Sequence, residues 1–134
     1  MTRDISNIAA STIDFPQETT RTAIDLIISD TLRNHPNCKV ILCHAGGTLP
    51  YIAGRVSASY YSGRTKKTPR EFMEDAKRFY YDTATSGNAF TLSLLDMFAD
   101  KDHVVFGTDF SYASPEAIRI SVDNITAFRW QQLV

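Results

Sequence analysis

Residues 39–50 read Lys-Val-Ile-Leu-Cys-His-Ala-Gly-Gly-Thr-Leu-Pro, and this stretch decides the class of fold. Its first half is a continuous apolar run, which is typical of a strand buried on both faces of a parallel sheet. The two glycines then predict a tight turn, and Pro50 predicts the start of a helix that continues through Val56. The stretch is therefore interpreted as a strand, a short loop and a helix.

The same alternation extends to both sides of this stretch. Upstream, apolar residues at helical spacing predict an amphipathic helix over 19–34, which His35-Pro36 ends. The downstream prediction is a helix from Pro69, a strand over 79–83, a helix whose apolar face is Phe90, Leu94, Leu95 and Phe98, a strand over 103–108, and a helix capped by Ser114. This order predicts right-handed βαβ units around a parallel sheet.

Composition and charge exclude several functional classes. The 134 residues, 43% hydrophobic and 22% charged, have the composition of one soluble globular domain. A net charge of −1 with no basic run beyond 64–67 argues against nucleic acid as a partner. Neither a membrane span nor a signal peptide is indicated. Cys38 and Cys43 are poorly spaced for a disulfide, which favours a reducing, cytoplasmic location.

Polar residues fall at the ends of all three predicted strands, namely His44, Asp82 and Asp109. Ligands of parallel α/β folds bind at the carboxyl ends of the strands. A histidine and a carboxylate there could share a divalent metal, or one could bind metal while the other moves protons. The same positions also suit a structural role, in which His44 and Asp109 cap the turns that follow. The pattern alone leaves both interpretations open.

Three ordered motifs resemble one enzyme family. Residues 43–55 are similar to the sixth-strand motif of the amidohydrolase-related family, which contains aminocarboxymuconate-semialdehyde, γ-resorcylate and 6-methylsalicylate decarboxylases. Residues 81–84 and 105–110 resemble its seventh-strand and eighth-strand motifs. The match covers about 14–115, and the fungal 6-methylsalicylate decarboxylases are the most similar group. The resemblance implies that 1–134 is a partial domain, the C-terminal part (about strands 6 to 8) of a metal-dependent (β/α)8 TIM barrel.

The resemblance also implies roles for individual residues. Asp109 corresponds to the metal-ligating aspartate, and His44 to the catalytic histidine that acts at the metal-bound water and orients the substrate. Gly46 and Gly47 would form a tight turn close to that substrate. The implied reaction is nonoxidative decarboxylation of a small aromatic carboxylic acid such as 6-methylsalicylate, with zinc as the metal and manganese as the alternative. Whether His44 or Asp109 delivers the proton stays open.

Other polar residues have weaker assignments. Arg64 lies where related decarboxylases present an arginine to a neighbouring subunit's substrate, with the spacing off by one residue, so the resemblance implies a homo-oligomer. Arg55 is interpreted as a partner in a structural ion pair. Asp82 is expected to support or cap the site rather than bind metal. His35 and His103 are predicted to be surface residues at the opposite end of the sheet.

The metal site implied by the resemblance is incomplete in this sequence. It also needs a His-x-His or Glu-x-His pair on strand one and a histidine on strand five, and none of the three histidines fits. We therefore expect a fragment, which is an abbreviated gene product, a partial gene model or one piece of a split enzyme. The sheet edges and apolar strand faces that half a barrel exposes predict aggregation or association with a complementary half-barrel. The β-branched run 118–122 indicates an altered C-terminal helix. The alternatives are a metal-dependent hydrolase of the same superfamily and a truncated, inactive paralogue that binds a full-length homologue.

Overall fold

Helices and short parallel strands alternate along the chain, as the sequence predicts. The computed structural model describes residues 8–130, which form six α-helices and a three-stranded sheet. In chain order the elements are α1 (Ala10–Ile28), α2 (Thr31–Asn34), β1 (Ile41–Leu42), α3 (Leu49–Ser57), α4 (Pro69–Ala76), β2 (Tyr80–Asp82), α5 (Ala89–Phe98), β3 (Val104–Val105) and α6 (Pro115–Ala127). The strands pair in parallel in the order β1-β2-β3. The predicted βα alternation is therefore confirmed.

The first helix differs most from its prediction. It begins at Ala10 rather than Thr19 and passes through Pro16, although proline lacks the amide that a helix interior needs. Its C-terminal half is anchored by Ala23 and Ile27, which are fully buried. The helix ends at Ile28 instead of continuing to 34, because Asp30 adopts a left-handed conformation (φ 57°) before the short α2 begins.

The exposed face of α5 also differs from the prediction. Leu92, Leu95 and Phe98 are buried, whereas Phe90 is 90% exposed, so its assignment to the apolar face was wrong. The altered C-terminal helix expected from 118–122 is not seen either, since α6 is regular over Pro115–Ala127. The predicted cap is confirmed, because the Ser114 side chain accepts a hydrogen bond from the Ala117 amide at 3.2 Å.

The core lies between the sheet and helices α1, α3, α4 and α5. Tyr81, Phe72, Phe79 and Leu49 are fully buried within it. The Tyr81 hydroxyl donates to the Ala76 carbonyl at 2.6 Å, and burial raises the pKa of Tyr81 far above its usual range. This tyrosine therefore stays neutral and joins the end of α4 to the middle of the sheet.

A buried charge cluster fixes the loop before α4. Asp75 is only 1% exposed, and Arg33 Nε lies 2.8 and 2.9 Å from its two carboxylate oxygens. Lys67 Nζ lies 2.5 Å from both Asp75 and Asp30. Burial lowers the pKa of Lys67, but its hydrogen bonds to the two carboxylates outweigh this and raise it overall. The cluster therefore connects the end of α1, the long loop and α4.

The N-terminus of α4 has a reciprocal capping box. The Thr68 hydroxyl accepts from the Glu71 amide, while the Glu71 carboxylate accepts from the Thr68 amide at 2.9 Å. The Thr68 hydroxyl also donates to Glu71, which lowers the pKa of that carboxyl. We expect Thr68→Ala to lower the free energy of unfolding by about 1 kcal/mol in urea titrations. Thr126→Ala on the exposed face of α6 is the matched control, and an equal loss there would contradict the prediction.

Asp30 makes the stability of the chain sensitive to acid. Hydrogen bonding to Lys67 lowers the pKa of Asp30, so its stabilising effect is complete above the unfolded value of about 3.9. That effect is lost as the pH falls through the lower folded value. Asp30→Asn, which tolerates the left-handed conformation, should therefore lose less stability than the wild type between about pH 4 and pH 2. Asp102→Asn should behave like the wild type in the same acid-unfolding series.

Two further sequence expectations concern the surface. Cys38 and Cys43 are exposed and free. Within residues 8–130, no helix is both long enough and apolar enough to cross a bilayer.

Candidate active site

His44 lies on a tight turn directly after β1. His44, Ala45, Gly46 and Gly47 all have positive φ angles. A Cβ atom on Gly46 would lie 2.8 Å from the Tyr81 ring, and one on Gly47 would lie 2.1 Å from the Pro16 carbonyl oxygen. Only glycine fits these two positions, because a side chain would be both strained and obstructed. The predicted glycine turn is confirmed, whereas its proximity to a substrate stays a prediction.

The N-terminal half of α1 anchors the other side of this turn. The Thr20 hydroxyl donates to the Pro16 carbonyl at 2.8 Å and accepts from the Thr48 amide at 2.8 Å. The Thr48 hydroxyl lies 3.0 Å from that of Thr20. Thr20 is 2% exposed, so these hydrogen bonds are shielded from water. The turn that carries His44 is thus held from both the sheet side and the helix side.

Asp82, at the end of β2, holds the backbone of the His44 turn. Its Oδ1 atom accepts from the His44 amide at 2.8 Å and from the Ala84 amide at 3.0 Å. One carboxylate oxygen therefore joins the loops that follow two neighbouring strands. These contacts agree with the supporting role expected for Asp82.

The imidazole of His44 has two neighbours on the loop that follows β2. Its Nδ1 atom lies 3.1 Å from the Ala84 carbonyl oxygen and 2.9 Å from the Thr85 hydroxyl. Thr85 itself has a positive φ of 49°. Sequence reasoning missed Thr85, although it directly follows the motif at 81–84 and a hydroxyl there was the available signal.

Asp109 follows β3 and begins a turn. Its φ is 63°, and its carbonyl accepts from the Tyr112 and Ala113 amides, each at 2.8 Å. The capping role that the sequence allowed is thus performed by the backbone. Among residues 8–130, no hydrogen bond or ion pair is made by the Asp109 carboxylate. Its roles as metal ligand and proton carrier stay predictions.

The segment that leads to Asp109 runs beside Asp82. A Cβ atom on Gly107 would lie 3.3 Å from the Asp82 side chain, and the Gly107 amide donates to the Thr83 hydroxyl at 3.2 Å. The ends of the three strands thus meet around Asp82. In the described part of the chain, no hydrogen bond joins the His44 and Asp109 side chains. Both residues follow the carboxyl ends of their strands, His44 after β1 and Asp109 after β3.

A cavity adjoins the loops that follow β2 and β3. It has a volume of about 320 Å³, and its polar lining residues include Thr85, Asn88, Thr108, Ser121 and Asn124. The Ser121 hydroxyl is buried and makes no hydrogen bond within residues 8–130. The volume of the cavity lies at the lower end of the range for small-molecule sites, about 300–1,000 Å³.

The structure does not bring Arg64 or Arg55 to His44. Arg64 lines a cleft of about 840 Å³ with Asp30 and Arg33, and His44 is not among its lining residues. Arg55 is exposed on α3, and its predicted ion pair is not formed with any residue in 8–130. Of the remaining histidines, His35 is exposed, and His103 bonds the Lys77 carbonyl at 2.8 Å.

The described residues do not form a complete metal site. No group of three or more histidine, cysteine, aspartate or glutamate side chains within 8–130 could hold a metal ion. A protein zinc site usually needs at least three such ligands. Asp109 could therefore supply one ligand, but the others would have to come from elsewhere.

Similar proteins are decarboxylases that are much longer than this chain. Decarboxylase macB of Penicillium terrestre is 47% identical over 120 residues, which cover 87% of this chain and 36% of the relative. The 6-methylsalicylic acid decarboxylase of Penicillium expansum is 47% identical over 107 residues, or 78% of this chain and 33% of the relative. The chain thus spans about a third of the length of these curated relatives.

Solved structures share the fold. A crystal structure of an amidohydrolase II superposes with a TM-score of 0.83 at 20% identity, covering 98% of this chain and 42% of that one. A dihydroxybenzoic acid decarboxylase from Polaromonas sp. JS666, with bound manganese and 2-nitroresorcinol, gives a TM-score of 0.67 at 24% identity, covering 88% and 40%. The mixed helix and strand architecture is therefore that of amidohydrolase-fold barrel proteins, of which this chain covers only a part.

A family model also matches nearly the whole sequence. A family model described as Amidohydrolase matches residues 5–128. This range includes the turn that carries His44, and it also includes Asp82 and Asp109. The chain therefore belongs to the amidohydrolase family.

Proposed function

We propose that this chain carries part of the active site of a metal-dependent, nonoxidative decarboxylase, a carboxy-lyase that acts on a small aromatic acid such as 6-methylsalicylate. The observation that carries the proposal is the anchored imidazole of His44. It lies at the carboxyl end of the sheet, the end at which Asp109 also follows its strand. Relatives that are 47% identical over this region are decarboxylases, which supports the same reaction class.

The reaction needs one proton to be placed on the substrate. The bond between the ring carbon and the carboxylate breaks, CO₂ leaves, and the ring carbon takes a proton. An imidazole gains and loses a proton near neutral pH, and a carboxylate can also carry one. His44 and Asp109 are therefore the two proposed proton carriers. Thr85 and Thr108, on the adjoining cavity, offer hydroxyls that could bind the polar groups of the acid.

A divalent metal belongs to the same proposal, with Asp109 as one ligand. Zinc is the first candidate and manganese the alternative, which the manganese-containing Polaromonas structure supports. The remaining ligands would lie outside this sequence. We accordingly propose that 1–134 is a single partial domain, the C-terminal part of a (β/α)8 TIM barrel comprising about strands 6 to 8.

Uncovered apolar side chains support association with a complementary half-barrel or with a second copy. Ile41 on the edge strand β1 is 60% exposed, and Phe106 after β3 is 63% exposed. Large apolar surface of this kind usually marks an interface. In a homo-oligomer, Arg64 would reach the substrate of a neighbouring subunit, which its position away from His44 allows. A reducing, cytoplasmic location is proposed with it, consistent with two exposed free cysteines.

Release of CO₂ tests the proposed reaction. The chain is assayed with 6-methylsalicylate alone, and again after co-expression with the N-terminal two-thirds of the Penicillium expansum relative and loading with zinc or manganese. We expect CO₂ and the decarboxylated phenol in equal amounts from the assembled protein. Absence of CO₂ from a folded, metal-loaded assembly, over a panel of hydroxybenzoates, would contradict the proposal.

The two alternatives give different results in the same experiment. A metal-dependent hydrolase consumes water and releases no CO₂ from an amide or lactone substrate. An inactive paralogue co-purifies with a full-length homologue but adds no turnover to it. Product analysis and co-purification therefore separate all three functions.

A further inference from the structure

We propose that Ala84 and Thr85 hold His44 in one tautomer, with its hydrogen on Nδ1, so that Nε2 is the nitrogen presented to the substrate. We also propose that Asp82 is the positioning residue that sets up this contact. The inference rests on the proposed function only in its consequence for catalysis. The tautomer itself is a property of the chain and can be measured without any activity.

The contacts of the ring nitrogen decide the tautomer. Nδ1 lies 3.1 Å from the Ala84 carbonyl oxygen, and a carbonyl oxygen can only accept a hydrogen bond. A neutral imidazole carries one hydrogen, on either Nδ1 or Nε2. If Nδ1 were bare, its lone pair would face the lone pairs of the carbonyl. The hydrogen must therefore be on Nδ1.

The Thr85 hydroxyl completes the same arrangement. Its oxygen lies 2.9 Å from Nδ1 and can accept a share of the same N–H, since a hydroxyl both donates and accepts. Thr85 alone would not select a tautomer, because its hydroxyl could also donate to a bare Nδ1. The carbonyl of Ala84 selects the tautomer, and Thr85 restricts the rotation of the ring.

Asp82 fixes the distance between the ring and the carbonyl that orients it. Its Oδ1 atom binds the amide of His44 and the amide of Ala84 at once. The backbones of His44 (φ 55°) and Thr85 (φ 49°) both lie in the left-handed region, which residues with side chains rarely adopt. The carboxylate joins the two loops in these conformations. We expect the loss of Oδ1 as an acceptor to loosen the Ala84 loop relative to the His44 turn, which Thr20 also holds.

The two ring nitrogens of His44 therefore have different roles. Nδ1 is used by the protein, as in other sites where a second hydrogen bond sets the tautomer of a histidine. Nε2 then has a free lone pair in the neutral ring and an N–H in the protonated ring. A single nitrogen can thus take up a proton and return it to the substrate.

Long-range ¹H–¹⁵N NMR of the whole chain labelled with ¹⁵N-histidine tests the tautomer. At alkaline pH, where imidazoles are neutral, we expect His44 to give the pattern of a ring protonated on Nδ1. His44→Asn assigns its signals. His103, whose Nδ1 lies 2.8 Å from the Lys77 carbonyl, should give the same pattern, and exposed His35 provides the averaged pattern of an unrestrained ring. An Nε2-protonated or averaged His44 would overturn the tautomer assignment.

A matched pair of variants tests Asp82. Asp82→Asn keeps an acceptor oxygen and should preserve the His44 pattern, whereas Asp82→Ala should shift it towards that of His35. An unchanged pattern in folded Asp82→Ala would exclude the positioning role. If this variant does not fold, hydrogen exchange of the wild type decides, because the His44 and Ala84 amides should both be protected by Asp82. Rapid exchange of either amide would overturn the role.

The readouts separate this inference from the proposed function. If His44 is protonated on Nδ1 but the folded, metal-loaded assembly releases no CO₂, the function is disproved and the tautomer stays intact. An assembled, active decarboxylase in which His44 is protonated on Nε2 would do the reverse.

Discussion

His44→Asn is expected to lower the rate of CO₂ release by about 10²- to 10⁴-fold in the assembled decarboxylase. Asparagine cannot take up and return a proton, but its amide can still donate to the Ala84 carbonyl that holds Nδ1. The backbone amide at position 44 also keeps its bond to Asp82. The variant should therefore lose chemistry while preserving the turn. The measurement is kcat for CO₂ release from 6-methylsalicylate, together with the unfolding temperature.

The other two histidines provide matched controls for this substitution. His35 is exposed, and His103 contacts the Lys77 carbonyl at the entrance to β3 rather than at its exit. His35→Asn should leave kcat unchanged, and His103→Asn should alter stability more than kcat. Full activity of His44→Asn in a metal-loaded assembly would remove His44 from the mechanism. A comparable loss of kcat in His35→Asn would show that the assay reports assembly instead.

Local sequence signals predicted the framework of the site because each acts over a few residues. The apolar run before His44 specifies a buried strand, and Gly46-Gly47 specifies a turn that a Cβ atom would obstruct. Ser114 and the residue that follows it specify a helix start. Asp82 was recognisable as a supporting residue from its position at a strand end. The order of strands follows from the alternation of elements.

The remaining features depend on contacts between residues far apart in the sequence. Thr85 gains its role only when the loop after β2 reaches the turn after β1. The buried position of Asp75 depends on Arg33, which lies 42 residues away. Lys67 belongs to the short basic run 64–67, and nothing in that run indicates that this one residue is only 7% exposed. Phe90 fitted the helical period of α5, yet it is 90% exposed in the part of the chain that the structure describes. Sequence periodicity shows which face of a helix is apolar, but it does not show whether other elements pack against that face.

Asp75→Ala is expected to have the largest effect on stability, a loss of about 3–5 kcal/mol in the free energy of unfolding. Within residues 8–130, the substitution leaves Lys67, which is 7% exposed, with Asp30 as its only remaining carboxylate contact. It also removes both hydrogen bonds of Arg33 Nε. Removing one member of a buried ion pair costs more than the pair contributes, because the other charge stays buried without its partner.

Two comparisons distinguish this mechanism from the simple loss of a side chain. Asp75→Asn retains a hydrogen-bond acceptor for Arg33 but not the charge that Lys67 needs, so its loss should be intermediate. Glu116→Ala removes an exposed ion pair with Arg119 on α6 and should cost less than about 1 kcal/mol. Urea unfolding followed by circular dichroism measures all three, with hydrogen exchange of the α4 amides for any variant too unstable to titrate. If Asp75→Ala were no more damaging than Glu116→Ala, the cluster would not be what holds α4 against the end of α1.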